Sequence, residues 1–178
     1  MKLVKLKLSN FKGIKSFELD AGGKNVNIYG DNATGKTTLF DSFLWILFDK
    51  DSQNRKDFHI KTLGPDGQPE HGLDHGVEAI LELNDGKEIA LKKIYREKWT
   101  KKRGSAKAEF TGHTVDYFVD NVPVQKKEYD SKIAEIADES IFRLLTDPRY
   151  FNEVLHWQKR RELLLEVCGD VSDAEVIA

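Results

Sequence analysis

The chain has 178 residues, 28 Lys and Arg against 30 Asp and Glu, and a single cysteine. That length suits one domain with a real core, and Cys168 alone excludes an internal disulfide and fits a reducing compartment. Overall charge nearly cancels, so it neither implies nor excludes a nucleic-acid partner. The opening MKLVKLKLSN alternates charged and apolar residues and is neither a signal peptide nor a membrane helix. The longest apolar run, Phe43–Phe48, is far too short to span a bilayer, so a cytoplasmic protein with no membrane partner is expected.

In chain order, KLVKLKL (2–8) predicts a mostly alternating strand with a register slip near Val4, and Asn10–Gly13 turns the chain. SFELD (16–20) returns as a second strand, and Ala21–Asn25 is the next turn. Val26–Tyr29 alternates like a short strand and leads into GDNATGKT, which fits G-x-x-x-x-G-K-[ST] with Gly30, Gly35, Lys36 and Thr37 at the fixed positions. From Lys36 an apolar run without Gly or Pro predicts a helix buried between sheets, with Asp41 and Ser42 facing the nucleotide side or a polar seam. Strand, loop and helix in this order are what phosphate binding needs: glycines let backbone amides turn inward, and the helix N-terminus adds partial positive charge. Lys36 would reach the β- and γ-phosphates of ATP, the Thr37 hydroxyl would ligate Mg²⁺, and Thr38 would donate to a phosphate nearer the ribose. A chance glycine turn before a buried helix is the bland alternative. The pattern should arise that way in roughly one chain of this length in a hundred, so nucleotide binding is the better reading.

Residues 49–76 are polar and turn-rich, with Gly64–Gly67 a strong turn signal. His71 and His75 stand four apart beside Asp74, but Gly72 and Gly76 oppose the helix that would align them, so a loop is preferred over a metal site. VEAILEL and EIALKKIYREKW predict strands joined at Asn84–Gly86, and AEFTG and TVDYFVD a further pair closed by Asn121–Pro123. The run from Lys92 to Lys107 holds eight cations against Glu97, a local excess of +7. A solvated hairpin tip accounts for it. The sharper reading is DNA phosphate contact through Lys98, Lys101, Lys102 and Arg103, with Trp99 as a stacking group. The remainder is helical: 126–146 interrupted around Asp138–Ser140 and ended at Asp147-Pro148, then 151–167 ended by Gly169. A capping box at Ser172–Glu175 opens a helix that runs out at Ala178, so the chain looks cut off.

LKLSNFKGIKSFELD followed by VNIYGDNATGKTTLFDSFLWILFDK resembles the N-terminal segment of SMC-like ATPases of the SbcC/RecF type, in which a strand ending N-F-[KR] precedes the phosphate loop. Tyr150-Phe151 and WQKRRELL (157–164) resemble the lead-in to that group's coiled coil. The resemblance implies an α/β P-loop fold, the N-terminal half of an ABC-type head: a mixed sheet around the buried helix, an antiparallel β subdomain and C-terminal helices. It divides the chain into 1–49 (strands, phosphate loop, helix), 50–125 (turns and antiparallel β) and 126–178 (helical lead-in). By position it makes Lys12 the basic residue that reaches back to the nucleotide phosphates and Asn32 the loop Asn, within a binding set of Lys12, Gly30, Asp31, Asn32, Ala33, Thr34, Gly35, Lys36, Thr37 and Thr38. Lys36 is the one expected catalytic residue.

Ala33 departs from the family's usual Gly; if that position needs positive φ, alanine costs about 1 kcal/mol. No Q-loop Gln matches near Thr146–Phe151, and Gln158 lies too far along. No run of four apolar residues precedes Asp-Glu, Asp120 being the nearest Walker B candidate, and no S-G-G-type signature occurs. The chain should therefore bind ATP yet hydrolyse it poorly alone. The function implied is DNA repair, recombination or replication by ATP-gated dimerisation of heads. The candidate partners are a C-terminal half of the same head, DNA and a nuclease. The alternatives are a self-contained kinase or GTPase, disfavoured by the late loop and the lack of N/T-K-x-D, and a DNA- or protein-binding module with a vestigial loop.

Overall fold

The structure, a computed structural model, describes residues 1–101, 108–147 and 149–168, without the side chains of 166–168. It divides into two compact units, Met1–Ile136 and Ala137–Ala178.

The first unit is built on a six-stranded sheet: β1 (Lys2–Phe11), β2 (Ile14–Asp20), β3 (His75–Glu82), β4 (Glu88–Thr100), β5 (Glu109–Val119) and β6 (Val122–Val124). Their spatial order is β2-β1-β3-β4-β5-β6. Alternation sets the inner face, as in β3, where His75, Val77, Ala79 and Leu81 are buried and the residues between them are not. The slip near Val4 is present: the β1–β3 register shifts between Leu3 and Lys5. α1 (Lys36–Phe48) lies against β1, β3 and β4, burying Leu39, Leu44, Trp45, Ile46 and Leu47, with the Trp45 ring 5.4 Å from that of Phe11. α2 (Lys126–Ile136) joins the same unit through buried Tyr129 and Ile133; the Tyr129 hydroxyl donates to the Ile46 carbonyl at 2.9 Å.

Three expectations change. Residues 26–29 form no strand; Val26, Ile28 and Tyr29 are exposed, and every described strand pairing is antiparallel, so the mixed sheet is not completed among the described residues. A strand needs a ladder partner for its amides and carbonyls, and none of the described strands pairs with this segment. AEFTG and TVDYFVD are one strand, β5, because a bulge opposite Lys98/Trp99, with Gly112 at φ 126°, absorbs the irregularity read as a break. The last helix begins at Trp157, not Phe151.

In the second unit, α3 (Glu139–Thr146) is capped by the Asp138 carboxylate, which accepts from the Ile141 amide at 2.9 Å. A π-helical turn, Tyr150–Val154, closes with Leu155 N–H on the Tyr150 carbonyl and delays α4 (Trp157–Cys168). The Gly169 stop and the 172–175 capping box lie outside the described residues, as does Pro148.

Candidate nucleotide-binding site

The loop between Gly30 and Gly35 delivers the chain to the N-terminus of α1. No side chain caps that N-terminus, and its first turn carries no acidic residue, so its amides and dipole are left for an anion. The Lys36 ammonium folds back and donates to the carbonyls of Gly30 and Asp31, each at 2.6 Å, while the Thr34 hydroxyl donates to Asp31 O at 2.8 Å. The loop is thus closed around its own lysine. Two glycines keep the loop uncrowded: a Cβ on Gly30 would lie 2.7 Å from Thr34 Oγ1 and displace it, and Gly35 adopts φ 94°, a conformation side chains disfavour, with Ile14 Cδ1 3.2 Å from where its Cβ would be. Ala33 does adopt positive φ, 64°. Replacing it with Gly should stabilise the protein by about 1 kcal/mol, read as a higher denaturant midpoint; an unchanged or lower midpoint would show that the loop carries no strain there. Asp31, Asn32, Ala33, Thr34 and Thr37 are exposed, whereas Lys36 and Thr38 are half-buried. An exposed Thr37 hydroxyl at the first turn fits the Mg²⁺ role, and a Cβ-free Gly30 fits a loop that wraps phosphate.

Lys12, which the resemblance assigns to the nucleotide phosphates, is paired with Asp41 in this structure. It has φ 47° in the β1–β2 turn, its amide donates to Ile60 O at 2.9 Å, and its ammonium sits 2.5 Å from Asp41 Oδ2, 5.5 Å above the Phe58 ring. Asp41 is only 2 % exposed, and its other oxygen accepts the Ser52 amide at 2.8 Å. Asp41 therefore marks the polar seam of α1. Removing Lys12 would leave a buried carboxylate, at a cost below the roughly 3–5 kcal/mol of a fully buried pair because the Lys12 side chain is 24% exposed. A charge-assisted hydrogen bond contributes about 1.5–3 kcal/mol.

At the other end of α1, the buried Lys93 ammonium donates to Trp45 O at 2.8 Å and Asp49 Oδ1 at 2.6 Å, ringed by Trp45, Tyr117 and Tyr129 at 4.9–5.7 Å. Burial pulls this amine down to about 8 despite Asp49. Asp49 also pairs with Lys126. This anchors the phosphate-loop helix by its negative end.

The basic run is less basic in space than in sequence. Lys93 is buried, Lys92 pairs with Glu78, and Arg96 pairs with Asp74 and Asp116. Lys98 and Lys101 are exposed; Lys102, Arg103 and Lys107 lie outside the described residues. Lys98 and Trp99 are neighbours in β4, so they face opposite sides of the sheet. On the Trp99 side, rings run Trp99–Phe110–His113–Tyr95 with centroids 4.7–5.7 Å apart, and Trp99 and Phe110 are about half exposed. Beside them Glu97 accepts from Lys61 at 2.5 Å, from the Gly72 amide and from Trp99 Nε1, and bonds His71 at 2.7 Å. Burial alone would raise this carboxylate; those bonds outweigh it and hold it near 2. His71 is thus a partner of Glu97, while His75 lies buried in β3 with Nδ1 on Asn10 O at 2.6 Å. Sequence reasoning gives Asp41 and Glu97 no partners; a lone carboxylate in an apolar helix, and a lone acid in a basic run, are the signals that could have found them.

A phosphate-loop motif feeding a helix buried on an antiparallel sheet places the chain among P-loop proteins, in keeping with the SMC/RecF-type motifs. The AAA_23 family model, described as an AAA domain, matches residues 5–166, and the chain belongs to that family. It is 24% identical over 176 residues to the DNA replication and repair protein RecF of Lachnospira eligens, covering 94% of this chain and 47% of that protein. Over a shorter stretch of 65 residues it is 37% identical to RecF of Geobacter sp. strain M21, covering 36% of this chain and 18% of that one. A solved structure of the recombination mediator RecF with ATP aligns with TM-score 0.44 and 15% identity, over 94% of this chain and 47% of that one. The chain thus spans about half the length of the first curated relative it matches. Among the described residues no helix is long and apolar enough to cross a membrane.

Proposed function

We propose that this chain is the ATP-binding part of an SMC-like ATPase head acting in DNA repair, recombination or replication. The observation that carries it is the Gly30–Thr38 loop, closed on Lys36 at the uncapped N-terminus of a helix buried in the sheet. In this reading Lys36 leaves the Gly30 and Asp31 carbonyls for the β- and γ-phosphates, first-turn amides and Thr38 bind phosphate oxygens, and Thr37 holds Mg²⁺, which neutralises charge when bound. Hydrolysis needs the C-terminal half of the head and a second copy of the head across the nucleotide; a nuclease partner fits the same class. The exposed Val26, Ile28 and Tyr29 support this, since a segment of alternating apolar residues without a ladder partner is what a strand from another half would pair with. Equilibrium binding tests it: ATP should bind at least tenfold more tightly than GTP, and a preference for GTP would favour the self-contained GTPase reading.

DNA is the second ligand proposed. If Lys98, Lys101, Lys102 and Arg103 bind phosphates, affinity should fall steeply with salt. Changing all four to Ala should then flatten the log–log slope by about one for each DNA phosphate no longer neutralised. A slope unmoved by the four changes leaves a solvated hairpin tip.

A further inference from the structure

We infer that the aromatic row Trp99–Phe110–His113–Tyr95 is a stacking platform for unpaired bases of single-stranded DNA, built on the tip of the β4–β5 ribbon. This rests on the DNA reading above and names the part of the ligand that the aromatic face takes. Pairing of β4 to β3 ends at Tyr95, so over residues 96–100 β4 has only β5 beside it. The bulge makes the row continuous. Phe110 and His113 stand three apart and would alternate to opposite faces. The extra residue, Thr111, instead brings both onto one face, with Phe110 opposite Trp99 and His113 opposite Glu97.

The indole is prepared for stacking and not for hydrogen bonding. Its Nε1 already donates to Glu97 at 3.0 Å, which fixes the ring's edge, yet Trp99 stays 49% exposed and Phe110 43%. Glu97, the acid within the row, has a side chain only 3% exposed and is paired with the Lys61 ammonium at 2.5 Å. That ammonium lies 5.4 Å from the centre of the Phe110 ring. The platform is therefore free of an open negative charge, and Lys98 and Lys101 add exposed cations at the same tip. A ribbon two strands wide lets one oligonucleotide lay bases on the aromatic face and still reach Lys98 on the other. Open rings beside cations, with the indole donor already used, suit the sequence-tolerant stacking of a single strand. Bases inside a duplex already stack on one another and cannot use the platform.

The test uses the intact chain and two labelled ligands, an oligo-dT strand and a closed dumbbell duplex without free ends, with binding read by anisotropy. Losing one stacked base should cost about fivefold or more. Trp99→Ala should therefore weaken oligo-dT by about that factor and the dumbbell by less than twofold. The salt slope for oligo-dT should not move, since no phosphate contact is lost, which separates the platform from the lysine contacts. Trp99→Phe keeps a ring and should stay within threefold of the parent, while losing most of the tryptophan quenching that oligo-dT causes. That quenching decides even where Trp99→Ala folds poorly. Equal losses on both ligands, or an oligo-dT affinity unmoved by Trp99→Ala, overturn the platform and leave the row to a protein partner. Salt-sensitive dumbbell binding beside an unmoved oligo-dT affinity removes the platform alone. A parent chain that binds neither ligand removes the DNA reading itself, and the platform with it.

Discussion

Phosphate release from ATP by the purified 178-residue chain should stay near the uncatalysed background, and adding the C-terminal half of the head should raise kcat by orders of magnitude. Phosphoryl transfer is positioning and charge stabilisation, with little covalent work for the protein. Lys36, the first-turn amides and a Thr37-bound Mg²⁺ would hold one side of the triphosphate. Among the described residues none is a ready base or signature serine for the other. The acids nearest to a Walker B assignment are occupied: Asp120 accepts from the Ala90 amide at 2.8 Å in a turn at φ 50°, Asp116 pairs with Arg96 at 2.8 Å, and Glu82 pairs with Lys2 at 2.7 Å. Sustained turnover near 1 s⁻¹, roughly the low end of ordinary enzymes, would contradict this, and Glu82, Asp116 and Asp120 would then be the first positions to mutate.

Lys36→Ala should lower Mg·ATP affinity by about 100-fold or more. The ammonium is expected to serve two phosphates, and each charge-assisted bond contributes about 1.5–3 kcal/mol, so roughly 3 kcal/mol or more is at stake, about two decades in Kd. The loss should fall on binding and not on folding. In the free protein Lys36 donates to the carbonyls of Gly30 and Asp31, both exposed residues, and water can replace it there. An unchanged thermal midpoint beside the lost affinity is the expected pattern.

The phosphate loop and α1 were legible because their signals are local: a fixed motif and an apolar run bounded by residues that favour each end. β3 was legible through strict alternation, and even the slip at Val4 left its mark as two adjacent apolar residues, Leu3 and Val4. What failed depended on partners distant in sequence. Val26–Tyr29 has the alternation of a strand, but strand formation requires a neighbour, and none of the described strands supplies one. The charge excess over 92–107 was a correct count that overstated the field, because Glu78, Asp74, Asp116 and Asp49 neutralise Lys92, Arg96 and Lys93 from elsewhere in the chain. The Lys12–Asp41 bond likewise had no local signal, because it spans 29 positions and depends on how the β1–β2 turn meets α1.

The most direct test of the central claim is an equilibrium titration of the intact chain with Mg·ATP, with Lys36→Ala alongside under the same conditions. The account predicts saturable, one-to-one binding to the parent and a loss of about two decades or more in the variant, with both proteins unfolding at the same temperature. Equal affinity in the two proteins, or no saturable binding to the parent, would contradict it.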